Sequence, residues 1–154
     1  MSYQRKSDIS IYSKLLFPFL LFLALNGFTQ TANNTWKLYK SVDGIEIYTA
    51  NKECHDFANG IHYDYIVLKF VNKTSVSKKI TWSENLYYNG KCYGCDGNSD
   101  KPLFVVELDP NESKEGGCEK DDGDTFRIFN RFLNYTDKPT LTKFELMKLI
   151  VTDR

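Results

Sequence analysis

The residues best suited to chemistry are four cysteines, Cys54, Cys92, Cys95 and Cys118. Cys92-Tyr93-Gly94-Cys95 is the sharpest spacing in the chain. Two thiols so placed can bridge each other, exchange a disulfide or supply half of a metal site. These chemistries have different requirements. An exchange site lowers the pKa of its first cysteine at a helix N-terminus, yet Cys92 lies in a Gly-rich stretch between strand-like segments. A four-Cys zinc site uses two close pairs, and Cys54 and Cys118 are far apart in sequence. Two disulfides ask only for an oxidising compartment. The expectation is a local Cys92–Cys95 bridge and a Cys54–Cys118 bridge closing a long loop. Thiol–disulfide exchange through Cys92 and Cys95 is the enzymatic alternative.

His55 and His62 are the only histidines, and neither falls in a metal-binding spacing such as H-E-x-x-H. The chain has no G-x-S-x-G elbow, P-loop or dinucleotide fingerprint after a strand. No catalytic residue, metal or cofactor is therefore assigned. Asp96, Asn98, Asp100 and Glu107 have the spacing of a calcium loop, but Lys101 stands where that loop needs Gly and Pro102 follows it. An acidic turn is the expectation there, and a solvated loop at residues 119–124. Tyr63, Tyr65, Tyr87, Tyr88 and Tyr93 remain as a candidate binding surface, since tyrosine supplies contact area at low entropic cost. Cross-strand packing of aromatics on a half-exposed sheet is the plainer account of the same residues.

The oxidising compartment follows from the N-terminus. Residues 15–25 are uncharged, Arg5, Lys6 and Lys14 precede them, and the small residues Gly27, Thr29 and Ala32 follow. This is the layout of a secretory signal peptide, expected to cover residues 1–29 and to leave Gln30 as the new N-terminus. Eleven helical residues reach only about 16 Å, roughly half of a hydrocarbon core, and Pro18 weakens a spanning helix. The expected location is secreted or periplasmic, without stable membrane insertion after cleavage. The 154-residue chain carries 20 basic and 20 acidic residues; removing the segment leaves 17 and 19, a net charge of −2. A nucleic-acid partner, which calls for a basic stripe, is not expected. A protein or glycan partner stays open.

The elements that must position these residues read as strands within one domain, residues 34–154. Residues 36–40 and 45–48 alternate on either side of Asp43-Gly44, a hairpin signal. In residues 61–72, Ile66, Leu68 and Phe70 share one face. Residues 76–88 show the clearest period of two, with Val76, Ile80, Trp82 and Leu86 on one side. Further strands are expected at 103–108, at 126–133 (where the pattern is mixed) and at 141–152. In the last of these Phe144, Leu146 and Ile150 would share a face, and the β-branched run at its end favours strand over helix. Residues 89–101 and 109–124 read as loops. About seven strands at short spacing predict an all-β fold, an antiparallel β-sandwich of immunoglobulin-like type with Trp82 at its centre. The Cys–Trp–Cys pin of antibody domains is absent, because no Cys lies in the strand before Trp82.

The segment Trp36-Lys37-Leu38-Tyr39-Lys40-Ser41-Val42-Asp43-Gly44-Ile45-Glu46-Ile47-Tyr48 resembles the opening of lipid-binding START-like domains, which begin with a Trp and then a Gly-Ile-x-Val-Tyr strand. The resemblance covers 13 residues. It implies a small-ligand carrier whose apolar cavity is closed by a long C-terminal helix, and residues 141–152 do not supply an amphipathic one. The overall pattern is similar to small exported immunoglobulin-like proteins of bacterial type. The functional expectation is an exported, non-enzymatic binding or accessory module. An oxidoreductase and a START-like carrier are the alternatives.

Overall fold

Apolar–polar alternation sorts the chain into antiparallel strands in a computed structural model, which describes residues 35–93, 95, 103–119 and 125–154. The expected signal peptide, the acidic turn at 96–102 and most of the 119–124 loop lie outside those residues. The strands are β1 (Lys37–Val42), β2 (Ile45–Asp56), β3 (Ile61–Asn72), β4 (Lys78–Tyr88), β5 (Lys91–Tyr93), β6 (Phe104–Leu108), β7 (Ser113–Glu115), β8 (Arg127–Phe132) and β9 (Leu141–Asp153).

Two sheets form. In the first, β1, β2 and β3 make a meander, and β2 pairs with β3 along its whole length. The far edge of β3 is shared end to end by β7, opposite residues 69–71, and β8, opposite residues 63–67. In the second sheet β9 runs along all of β4. The other edge of β4 is shared by β6, opposite residues 78–82, and β5, opposite residues 86–88. The result is an antiparallel β-sandwich, four strand positions facing three. That matches the count of about seven, although two positions are each filled by two short strands. The three-residue strands β5 and β7 fall in stretches that the sequence reads as loops, because three residues carry too little alternation to register.

The inner faces hold the core. Trp82 on β4 is fully buried, as its place in the alternation predicts, with its ring 4.7 Å from Phe70 and 5.6 Å from Phe104. Ile45, Ile47, Leu68, Ile80, Leu108 and Ile128 close around it, all at most 1% exposed. Burying a side chain of this size stabilises the fold by about 1.5–3 kcal/mol. Residues Leu141–Asp153 are strand β9, not the long helix that closes a START-like cavity.

Turn chemistry sets the registers. Asp43-Gly44 and Asn89-Gly90 each place both central residues at positive φ, as a type I′ hairpin demands. At Gly44 a Cβ would also collide with the Thr74 methyl group. The crossover from the first sheet to the second is organised by Asn72, 1% exposed. Its amide nitrogen donates to the carbonyls of Val76 (2.8 Å) and Asp109 (3.0 Å). Its oxygen accepts from the Thr74 backbone N–H (3.0 Å) and hydroxyl (2.8 Å). One buried side chain thus ties β3, the crossover and the loop after β6 together, with every hydrogen-bonding site used.

One reading of β9 is corrected. Thr81 faces Ile150 and Ser83 faces Met147, so β9 carries one extra residue at this point. Lys148 absorbs it at φ 50°, the geometry of a β-bulge. The bulge reverses the alternation. Leu149 and Val151 pack on the core while Ile150 is 57% exposed, off the face it was expected to share with Phe144 and Leu146.

Candidate functional site

Tyr63 and Tyr65 lie on the outer face of β3, with ring centroids 5.6 Å apart. β8 supplies their neighbours. Tyr65 pairs with Phe129 and Tyr63 with Phe132, so two intervals on β3 meet three on β8 and the strand bulges between. That bulge is why Phe129 and Phe132, three residues apart, point to the same side. Their rings are 5.0 Å from each other, and Phe132 continues to the exposed Tyr135 at 5.6 Å.

Phe129 also joins the two sheets. Its ring lies 6.3 Å from that of Tyr88 on β4, and the Tyr88 hydroxyl donates to the Phe129 carbonyl at 2.6 Å. Tyr88 in turn meets Tyr93, 5.6 Å away and 55% exposed. Four of the five candidate tyrosines therefore form one aromatic edge with Phe129, Phe132 and Tyr135. The fifth, Tyr87, points to the other side of its sheet. Its hydroxyl donates to Glu145 (3.0 Å) and its ring lies under the Lys143 ammonium (5.0 Å). Lys143 and Tyr87 together hold the Glu145 carboxyl below its ordinary range.

Two open clefts flank Phe129. One, about 350 Å³, is lined by Tyr88, Tyr93, Phe129 and Pro139. The other, about 560 Å³, has Tyr63 and Tyr65 on its floor, Cys54 and Cys118 at its side, and Asp56, Glu119 and Arg127 at its polar margin. The Arg127 guanidinium lies over the Tyr65 ring at 5.1 Å. Cys54 and Cys118 sit at disulfide distance, their Cα atoms 5.4 Å apart, and fasten the segment before β8 over this face. Cys92 and Cys95 are also at disulfide distance, Cα 5.7 Å. Cys92 belongs to β5, opposite Tyr87, and among the described residues no helix N-terminus lies beside it to lower a thiol pKa.

Behind the aromatic edge sits Glu84, on the inner side of β4. It accepts a hydrogen bond from the Trp82 indole N–H at 3.3 Å. Burial pushes its carboxyl up to about 7, against the lowering effect of that bond. Burial, and then the charge of Glu84, raise the Tyr88 phenol, so Tyr88 keeps its proton for Phe129.

His55 and His62 face each other across the β2–β3 hairpin, Nδ1 to Nδ1 at 2.8 Å. Among the described residues no group of three or more His, Cys, Asp or Glu side chains is placed to hold a metal ion. Of the residues that build the site, Phe129, Phe132, Tyr135 and Arg127 were not singled out from the sequence. The available signal was the aromatic crowding of residues 126–135, masked by the bulge.

No family model matches the chain, and no curated protein matches it. Among solved structures, the chain is similar to a DUF1425 family member from Shewanella sp. pv-4. That match covers 80% of this chain and 93% of the other, at 7% identity and a TM-score of 0.38.

Proposed function

We propose that this chain is an exported, non-enzymatic β-sandwich, stapled by Cys54–Cys118 and Cys92–Cys95 disulfides, that binds a protein partner through its aromatic edge. The observation that carries the reading is the Phe129 junction, which gathers Tyr63, Tyr65, Tyr88 and Tyr93 from two sheets between two open clefts. Tyrosine, phenylalanine and arginine are the side chains that concentrate in the cores of protein interfaces. Here they are set on strands rather than loops, so little ordering entropy is lost on binding.

Three measurements test the parts separately. Photo-crosslinkers at Tyr93 and Tyr135 should capture one protein from an extracytoplasmic fraction, and the Tyr63→Ala/Tyr65→Ala variant should lose it. Equal capture by that variant, or binding to glycans alone, overturns the assignment of partner and surface. N-terminal sequencing of the exported chain should begin at Gln30; an intact Met1 would remove the signal peptide. A thiol titration under denaturing conditions should find no free cysteine, and four free thiols would sink the disulfides.

A further inference from the structure

The closing hairpin of β2 and β3 carries a second feature, where His55 and Phe57 line the same cleft as Tyr63 and Tyr65. Asn51, Glu53 and His55 stand in register with Ile66, Asp64 and His62, on the side that holds the core elsewhere, yet all three are exposed. The β2 side of the hairpin is thus open here, while Asp64 opposite Glu53 stays buried against Asn130 and Arg131. At its end His55 and His62 are directly opposed, with Nδ1 atoms 2.8 Å apart and rings 4.9 Å apart at 66°.

The tip is held firmly. Asn134 accepts from the His62 backbone N–H (3.5 Å) and donates to the Gly60 carbonyl (2.9 Å). The Leu133 N–H donates to the His62 carbonyl at 2.8 Å. The Asp56 carboxylate takes both the backbone N–H and the amide of Asn59, and Cys118 anchors Cys54 beside His55. Phe57, 81% exposed, shields both imidazoles, with centroids 5.6 and 5.8 Å away.

We infer that His55 and His62 form a two-nitrogen chelate for a divalent copper ion. The affinity order for imidazole ligands sets the metal, since among divalent first-row ions copper binds them most tightly. The 2.8 Å contact is a hydrogen bond between the rings, and binding replaces it by rotating the two Nδ1 lone pairs toward a common point. The proton shared between the Nδ1 atoms moves to an outward Nε2, so two neutral imidazoles remain neutral. Water or a group from a partner completes the coordination, since no third protein ligand is placed there among the described residues.

The test is a Cu²⁺ titration of the full chain, made without a polyhistidine tag, followed by calorimetry and by electron paramagnetic resonance at pH 7.5. The expected result is one Cu²⁺ per chain with hyperfine coupling to two nitrogens, weakened at least tenfold in His55→Gln and in His62→Gln. Zn²⁺ should bind at least tenfold more weakly than Cu²⁺. Far-UV circular dichroism confirms that the variants are folded, which the exposure of the site makes the expected outcome. No binding at millimolar Cu²⁺, or unchanged affinity in both variants, overturns the assignment.

Discussion

Replacing Glu84 by Gln should make the sandwich less sensitive to pH and more stable in mild alkali. Burial raises this carboxyl from 4.5 to about 7 in the folded chain. Below pH 4.5 both folded and unfolded chains hold the proton, and the stability is at its highest. Between 4.5 and 7 the unfolded chain gives the proton up while the folded chain keeps it, so stability falls as pH rises. Above 7 both are ionised and the loss is complete. Each pH unit in that window costs about 1.4 kcal/mol, which gives roughly 3 kcal/mol in all. Solvent that still reaches the side chain reduces this to about 2 kcal/mol. Gln stays neutral throughout and can still accept from the Trp82 indole. Urea unfolding followed by tryptophan fluorescence at pH 5 and pH 8 measures the effect. With a slope of about 1–3 kcal/mol per molar urea, the wild-type midpoint should drop by about 1 M between those conditions. The Glu84→Gln midpoint should drop by less than half as much. Every other ionisable group is common to both proteins, so the difference isolates Glu84. An equal pH dependence in the two proteins, or a Gln variant weaker than wild type at pH 8, would refute the reasoning.

Other perturbations follow from the same structure. The Cys54→Ala/Cys118→Ala pair opens a crosslink spanning 64 residues; loop entropy sets its worth at about 4 kcal/mol, read as a lower urea midpoint than the oxidised wild type. Asn72→Ala strands the Val76 and Asp109 carbonyls and the Thr74 N–H, and should cost about 2–3 kcal/mol; a loss below 0.5 kcal/mol in chemical denaturation would contradict this. Gly44→Ala forces a β-carbon into Thr74 at positive φ and should lower stability by more than about 1 kcal/mol, whereas Gly90→Ala, with open space around it, should cost less.

Where alternation runs uninterrupted, the sequence is a faithful guide. β3 begins and ends where its pattern does, and Trp82 occupies the centre that its position in the 76–88 run implies. The places that misled share one cause. At residues 126–133 and again at 146–149, a bulge puts residues three apart on a common face, as a helix would. Phe129 with Phe132, and Leu146 with Leu149, are the two examples. An extra backbone residue has no side-chain signature when Asn or Lys supplies it, so neither the exposure of Ile150 nor the gathering of the aromatic edge was legible. The five tyrosines were visible as a group. Their division was not, because Tyr87 and Tyr88 are adjacent in sequence and point to opposite sides of one strand. The histidine pair was hidden for a different reason: strand register alone brings residues 55 and 62 face to face.

Asn72-Lys73-Thr74 is also an acceptor sequence for oligosaccharide transfer. In the finished fold its amide and its threonine hydroxyl are both committed, and no enzyme can reach them. A glycosylating secretory pathway, however, acts on the chain before it closes. Each molecule modified at Asn72 there would carry a sugar where the crossover must be sealed, and could not complete the sandwich. The choice of producing organism thus becomes a folding variable for this protein. Asn111, exposed in the loop that precedes β7, carries the same kind of acceptor sequence and could be occupied without that penalty.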